Sequence, residues 1–152
     1  MHTNTQQPNQ YFSLEVNTDL EALGDVLSWF DRTSKPLLRG QYGWQCQLIL
    51  VEGFTNAVRH AHHDLPKTTP IELEVDWSPD YLEIRILDWG QPFDLKAEIE
   101  QKSHDQEQPD DNIDALKEGG RGLIWIKKLT DQLNYVRMAN QRNCLIMGKK
   151  LT

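Results

Sequence analysis

The sequence predicts an α+β fold, a two-layer α/β sandwich with helices on one face of a mixed, mostly antiparallel sheet. Three observations predict it. Strand-like alternation comes in pairs, at 71–77 with 82–86 and at 131–138 with 143–150. Helical periodicity fills the stretches between, most clearly over residues 47–63. The resulting order, β, α, α, ββ, polar segment, α, ββ, contains no repeat and reads as one domain over 11–152 behind a flexible tail at 1–10.

The bulk numbers fit that class. A chain of 152 residues is long enough to bury a core without staples, and 38% hydrophobic with 26% charged residues is a globular composition. No apolar run approaches the ~20 residues of a membrane span, and the first ten residues lack the features of a signal peptide. A cytoplasmic protein with no membrane partner is the expectation. The two cysteines, Cys46 and Cys144, lie outside any CxxC pair and fit buried thiols in a reducing compartment. A net charge of −7 argues against direct nucleic-acid binding, which needs a basic footprint, and favours a protein or small-molecule partner.

Taken in order, Phe12, Leu14 and Val16 alternate with polar residues as a first strand. Thr18 and Glu21 have the spacing of a capping box that opens a helix, with Leu20, Leu23, Leu27 and Phe30 as its apolar stripe. Pro36, Gly40 and Gly43 punctuate a loop. The helix at 47–63, QLILVEGFTNAVRHAHH, follows. At roughly 100° per residue it gathers Leu50, Val51, Phe54, Ala57, Val58 and Ala61 on one arc. Glu52, Asn56, Arg59 and His63 gather on the opposite arc. The next two strands form a hairpin around the turn Ser78, Pro79 and Asp80, and the second ends at Asp88, Trp89, Gly90, Gln91, Pro92 and Phe93. Residues 91–118 carry nine acidic and three basic side chains, a balance of −6, in a polar run long enough to be a functional lid. Short helices are expected at 96–101 and 112–117. Gly119, Gly120, Arg121 and Gly122 then open a helix at 123–129, and the closing hairpin turns at 140–143.

Three stretches carry chemistry. Glu52 and Asn56 lie one helical turn apart: the carboxamide oxygen suits a magnesium ion, and the carboxylate suits a general base. Asp88 at a strand end can accept a hydrogen bond from an exocyclic amine, while Gly90 lets a flat ring approach the backbone. Three glycines in four positions at 119–122, opening a helix, expose backbone N–H groups at its positive end, as phosphate binding requires. Each has an ordinary alternative: a wet helix face, a hairpin-exit turn, a hinge. His60, His62 and His63 do not share one helical face and have no cysteine beside them, so zinc is disfavoured. The five tryptophans, scattered across the elements, read as core or interface filling.

Order and spacing together are more specific. A helix with E-x-x-x-N, a strand ending D-x-G-x-P-F, a polar lid and then G-G-R-G-L opening a helix resemble the Bergerat (GHKL) ATP-binding fold. Within it, the E-G-F-T-N-A-V-R-H-A-H helix and the D-W-G-Q-P-F-D box are similar to the anti-sigma-factor serine protein kinases of bacterial partner-switching systems. The resemblance spans nearly all of 12–151. It implies that Glu52 is the catalytic base toward a substrate serine and that Asn56 holds magnesium. Asp88 would read the adenine amine with Gly90 beneath the base, while Arg59 and His60 share the box of Asn56 and Phe93 closes the box of Asp88. Gly119, Gly120, Arg121, Gly122 and Leu123 would meet the phosphates, and 91–118 would be the ATP lid. Glu118 departs from the basic residue that kinase members often carry there.

The implied function is ATP- and Mg2+-dependent transfer of the γ-phosphate to a serine of an anti-sigma-factor antagonist, with a sigma factor as second partner and a homodimer as the assembly the resemblance implies. The alternative is a binding module of the same fold that sequesters a sigma factor or another regulator without productive transfer. An isolated histidine-kinase catalytic domain fits the helix motif less well.

Overall fold

The structure is a computed structural model and describes residues 8–106 and 122–152, the side chains of 102–106 excepted. Five strands form one sheet in the order β1-β2-β3-β5-β4: β1 (Gln10–Asn17), β2 (Pro70–Ser78), β3 (Tyr81–Asp88), β4 (Gln132–Arg137) and β5 (Asn143–Lys150). The expected mixed sheet is antiparallel at every described pairing. Alternation in the sequence sets the register, because a slip of one residue would turn each apolar set outward. One inward row runs Leu14, Leu73, Ile86, Leu145 and Tyr135, and the next runs Phe12, Val75, Ile84, Met147 and Leu133. Further along the same face, Asp88 stands opposite Asn143, and Asn143 opposite Arg137.

Helices α1 (Leu23–Thr33), α2 (Tyr42–Asn56), α3 (Leu95–Gln106) and α4 (Gly122–Leu129) supply the second layer. In α2, Cys46, Ile49, Leu50, Gly53 and Phe54 are buried, a stripe with the 3-1-3-1 spacing of a core-facing helix. Gly53 lets α2 approach the sheet closely: a Cβ there would lie 2.9 Å from the Met147 Cε. From α3, Leu95 and Ile99 enter the same core, as do Leu123 and Ile126 from α4. The first half of the acidic segment is therefore anchored.

Several local expectations shift. The cap at 18–21 belongs to Asp19, whose Oδ1 accepts the Glu21 N–H at 3.0 Å and opens a 3-10 turn (Leu20–Ala22) ahead of α1. Thr18 is buried and bonds elsewhere, as described below. The buried residues of α1 are Val26, Trp29 and Phe30, while Leu20 is exposed. Helix α2 begins five residues before the expected start at 47, because Gly43 sits in its first turn, buried and packed on the Lys35 side chain, rather than in a loop. Its C-terminal end widens into a π turn (Ala57–Ala61), closed by the His62 N–H on the Ala57 carbonyl at 2.9 Å. The helix expected at 96–101 extends over all of α3. The one expected at 112–117 lies outside the described residues. Of the tryptophans, Trp29 and Trp77 fill the core, whereas Trp44, Trp89 and Trp125 are exposed.

Candidate functional site

Helix α2, the end of β3 and the start of α4 converge at one edge of the sandwich. Glu52 and Asn56 are half-buried on α2. A Cβ on Gly122, the first residue of α4, would stand 2.5 Å from the Glu52 Oε2. A side chain at position 122 would displace the carboxylate. Burial raises the Glu52 pKa above the usual carboxylate value, and the nearby Arg59 guanidinium partly offsets that. Arg59 and His60 lie exposed on the π turn that follows Asn56. π turns inside helices recur at functional sites.

Asp88 is 4% exposed and Asn143 fully buried. Asp88 Oδ1 accepts the Gly90 N–H at 2.8 Å and the Asn143 Nδ2–H at 2.9 Å. The same Asn143 amide donates to the Gly90 carbonyl at 2.8 Å, and its Oδ1 accepts from Arg137 Nη1 at 3.1 Å. The row set by strand register thus becomes a hydrogen-bonded brace behind the turn at 88–90. Gly90 itself has a role the sequence did not show. A Cβ there would overlap the Ala61 carbonyl, with the Ala61 carbonyl carbon 2.8 Å away. The glycine is what allows the π turn to lie against the strand end.

His62, 1% exposed, makes the second contact between those segments. Its Nε2 accepts the Trp89 N–H at 2.7 Å, and its Nδ1 lies 2.7 Å from the Thr18 Oγ1. Phe93 and Tyr135 stack in a tilted pair with ring centroids 4.7 Å apart. The Tyr135 hydroxyl is buried near the Phe93 backbone, and burial, aided by the Asp88 charge, pushes its pKa up to about 12. A phenol kept protonated beside a buried carboxylate and an aromatic ring fits a planar, polar ligand.

The structure brings Glu52 and Gly122 together, with Asn56 one helical turn further along α2, and builds a separate brace around Asp88 and Gly90; Leu123 is buried in the core as the second residue of α4. Gly119, Gly120 and Arg121 lie outside the described residues. His62, Thr18, Asn143, Arg137 and Tyr135 were not singled out as site residues from the sequence. Only Asn143 left a usable signal, because pairing the two hairpins places it opposite Asp88. Among the described residues no group of three or more His, Cys, Asp or Glu forms a metal cage. The Asn56 carboxamide oxygen is a donor of the kind that could join phosphates and water around magnesium, which takes one or two protein oxygens.

A two-layer α+β sandwich with an antiparallel sheet, a Glu52 and Asn56 helix and a buried strand-end aspartate defines the class: an ATPase domain of the Bergerat type. The family model described as "Histidine kinase-like ATPase domain" matches residues 16–149, and the chain belongs to that family. Among curated proteins it is similar to the serine-protein kinase RsbW of Oceanobacillus iheyensis, 36% identical over 104 residues, 68% of this chain and 62% of that protein. The RsbW of Staphylococcus epidermidis is 38% identical over 88 residues, 57% of this chain and 54% of the relative. That of Bacillus licheniformis is 32% identical over 88 residues, 58% of this chain and 53% of the relative. The chain spans little more than half the length of most of these relatives. No described helix is long and apolar enough to cross a membrane.

Proposed function

We propose that the chain is an anti-sigma-factor serine kinase that binds ATP at this edge and phosphorylates a serine of a small antagonist protein. The observation that carries the reading is Glu52: a half-buried carboxylate with a raised pKa, held against the first residue of α4 and one turn from Asn56. A carboxylate whose pKa is raised by burial holds a transferred proton better than an exposed one. In the transfer step the serine Oγ forms a bond to the γ-phosphorus while the bond from that phosphorus to the β–γ bridging oxygen breaks. ADP leaves with the electron pair, and Glu52 takes the hydroxyl proton. Asn56 would hold magnesium, which supplies charge neutralisation at the phosphates. Asp88, whose braced oxygen is Oδ1, would offer Oδ2 to the adenine amine, with Phe93 and Tyr135 beside the base. Residues 91–118 would be the ATP lid, with its first part fixed by Leu95 and Ile99 in the core, and Gly119, Gly120 and Gly122 would meet the phosphates.

Unphosphorylated antagonist would bind the kinase and displace a sigma factor, and phosphorylation would release the antagonist. Names of the matched relatives support the activity; the cytoplasm and a homodimer remain part of the same proposal. The test is phosphorylation of candidate antagonist by Glu52→Gln with labelled ATP. The expected result is a loss of roughly 10²–10⁴-fold in rate, the usual worth of a general base, with nucleotide affinity within a few-fold of wild type. Transfer at the wild-type rate would remove Glu52 from the mechanism. Nucleotide binding without transfer by wild-type chain would identify a regulator-sequestering module instead.

A further inference from the structure

We propose that His62 is a positioning residue for the nucleotide edge: its neutral imidazole holds the turn at 88–90 through the Trp89 N–H, and its protonation releases that turn and weakens nucleotide binding. The inference rests on the nucleotide site described above, but its geometry stands apart from it.

The proton positions follow from counting hydrogens. The Thr18 hydroxyl has one, and it is donated to the Thr69 carbonyl at 2.6 Å. The Thr18 Oγ1 can therefore only accept from His62 Nδ1, 2.7 Å away, so Nδ1 carries the ring proton. Nε2 is then the bare nitrogen, and it receives the Trp89 N–H at 2.7 Å. A second proton on Nε2 would meet that N–H donor head-on. The ring is 1% exposed, so water has no room to take up the mismatch without movement. What must move is the Trp89 backbone, which lies between Asp88 and Gly90.

The neighbours of the ring come from three elements. Thr18 at the exit of β1 and Thr69 ahead of β2 are uncharged. Asp88 on β3 favours the imidazolium, but burial outweighs it and lowers the His62 pKa. Arg59, His60 and His63 belong to the same helix end and are exposed. The Gly90 contact with Ala61 lies one residue before the ring, so the two segments are clamped at adjacent points. Thus the imidazole joins the helix bearing Asn56 to the strand end bearing Asp88.

The experiment compares the affinity of the full chain for a fluorescent ADP analogue with magnesium, from about pH 5 to 8, in wild type, His62→Gln and His62→Phe. A glutamine can donate to Thr18 and accept from Trp89 without titrating. One proton that must leave before binding costs about tenfold per pH unit below the ring's pKa. Wild type should therefore lose affinity in acid more steeply than His62→Gln, whose remaining slope reports groups other than the ring. His62→Phe should bind at least about tenfold more weakly at pH 8. Superimposable profiles for wild type and His62→Gln would overturn the proposal. Should the variants fail to fold, nitrogen-15 correlation spectra of wild-type His62 decide it: Nδ1–H with bare Nε2 at pH 7.5 is required, and the opposite tautomer or an imidazolium overturns it. No binding by wild type at pH 8 would defeat the nucleotide site itself, while the spectra would still judge the pin.

Discussion

Gly122 and Glu52 are far apart in sequence and in contact in space, and their pairing makes a sharp demand. Substituting Gly122→Ala puts a methyl group 2.5 Å from the present Oε2 position, so the carboxylate must rotate away or α4 must retreat. A misplacement on the scale of 1 Å can cost on the order of 10²-fold in rate. The expected outcome is a kinase rate reduced by about that factor, measured by single-turnover phosphorylation, with the melting temperature changed far less than activity. Unaltered turnover would show that the two residues do not need their present spacing.

His62 also sets a pH dependence of stability. Its folded pKa lies below the ordinary 6.5, so the unfolded chain takes up the proton first as pH falls. The contribution of this residue is present in full above about pH 6.5 and is lost progressively below it. Thermal melts of the nucleotide-free chain between about pH 5 and 8 should show an acid decline in wild type that is smaller in His62→Gln. Equal declines would assign the acid sensitivity elsewhere. Glu52 acts in the opposite sense, since its raised pKa means that the folded state welcomes a proton as pH approaches 4.5.

These residues also show what the sequence could disclose. Glu52 and Asn56 were legible because a helix of known pitch puts residues four apart on one face. Asp88 and Gly90 were legible because alternation ends at them. Thr18 was not, because its spacing to Glu21 imitates a cap while Asp19 performs the capping. The partner of Thr18 is 44 residues away, and no local pattern encodes such a bond.

At the scale of elements, two glycines test whether close approach is tolerant or strict. Around Gly53 the obstacles are the ends of the Ile86 and Met147 side chains, which can rotate. Around Gly90 the obstacle is the Ala61 backbone, which cannot. Gly53→Ala should therefore cost about 1–3 kcal/mol, as overpacking does, and lower the melting temperature by a few degrees. Gly90→Ala should cost more and also abolish nucleotide binding, because the strand end and π turn can no longer meet. Calorimetry of both variants with and without nucleotide checks the ordering, and a milder effect at Gly90 would contradict it. The helices and strands themselves were largely visible in the sequence. The π turn was not, since helical periodicity presumes a constant pitch and nothing in the apolar spacing of 47–63 marks the place where it widens.

For the whole molecule, charge and architecture divide the work. The outer face of the sheet carries Glu74, Asp76 and Glu83 around Arg85, whose Nη2 lies 2.6 Å from Asp76 and whose other nitrogens reach Glu74 and Glu83. The surrounding carboxylates hold that guanidinium charged. The opposite face packs against the helices, and the candidate site lies at its end, away from this acidic surface. The sandwich was legible as a class because the two hairpins and the intervening helices leave few arrangements that bury every apolar face. The order β1-β2-β3-β5-β4 was not, because it depends on which hairpin edges meet.

That order has a kinetic consequence. Each hairpin can close locally, but Asp88 acquires Asn143 only when β3 pairs with β5, 55 residues later in the chain. Contacts of such sequence separation are costly to close and tend to set the folding rate. A partly folded chain holding only one hairpin therefore has no braced aspartate to offer a nucleotide. Nucleotide should slow unfolding in proportion to site occupancy while leaving the refolding rate nearly unchanged, the pattern of an interaction absent from the transition state. Stopped-flow refolding and unfolding with and without Mg-ADP will show it, and a nucleotide-accelerated refolding limb would place formation of the site before the rate-limiting step.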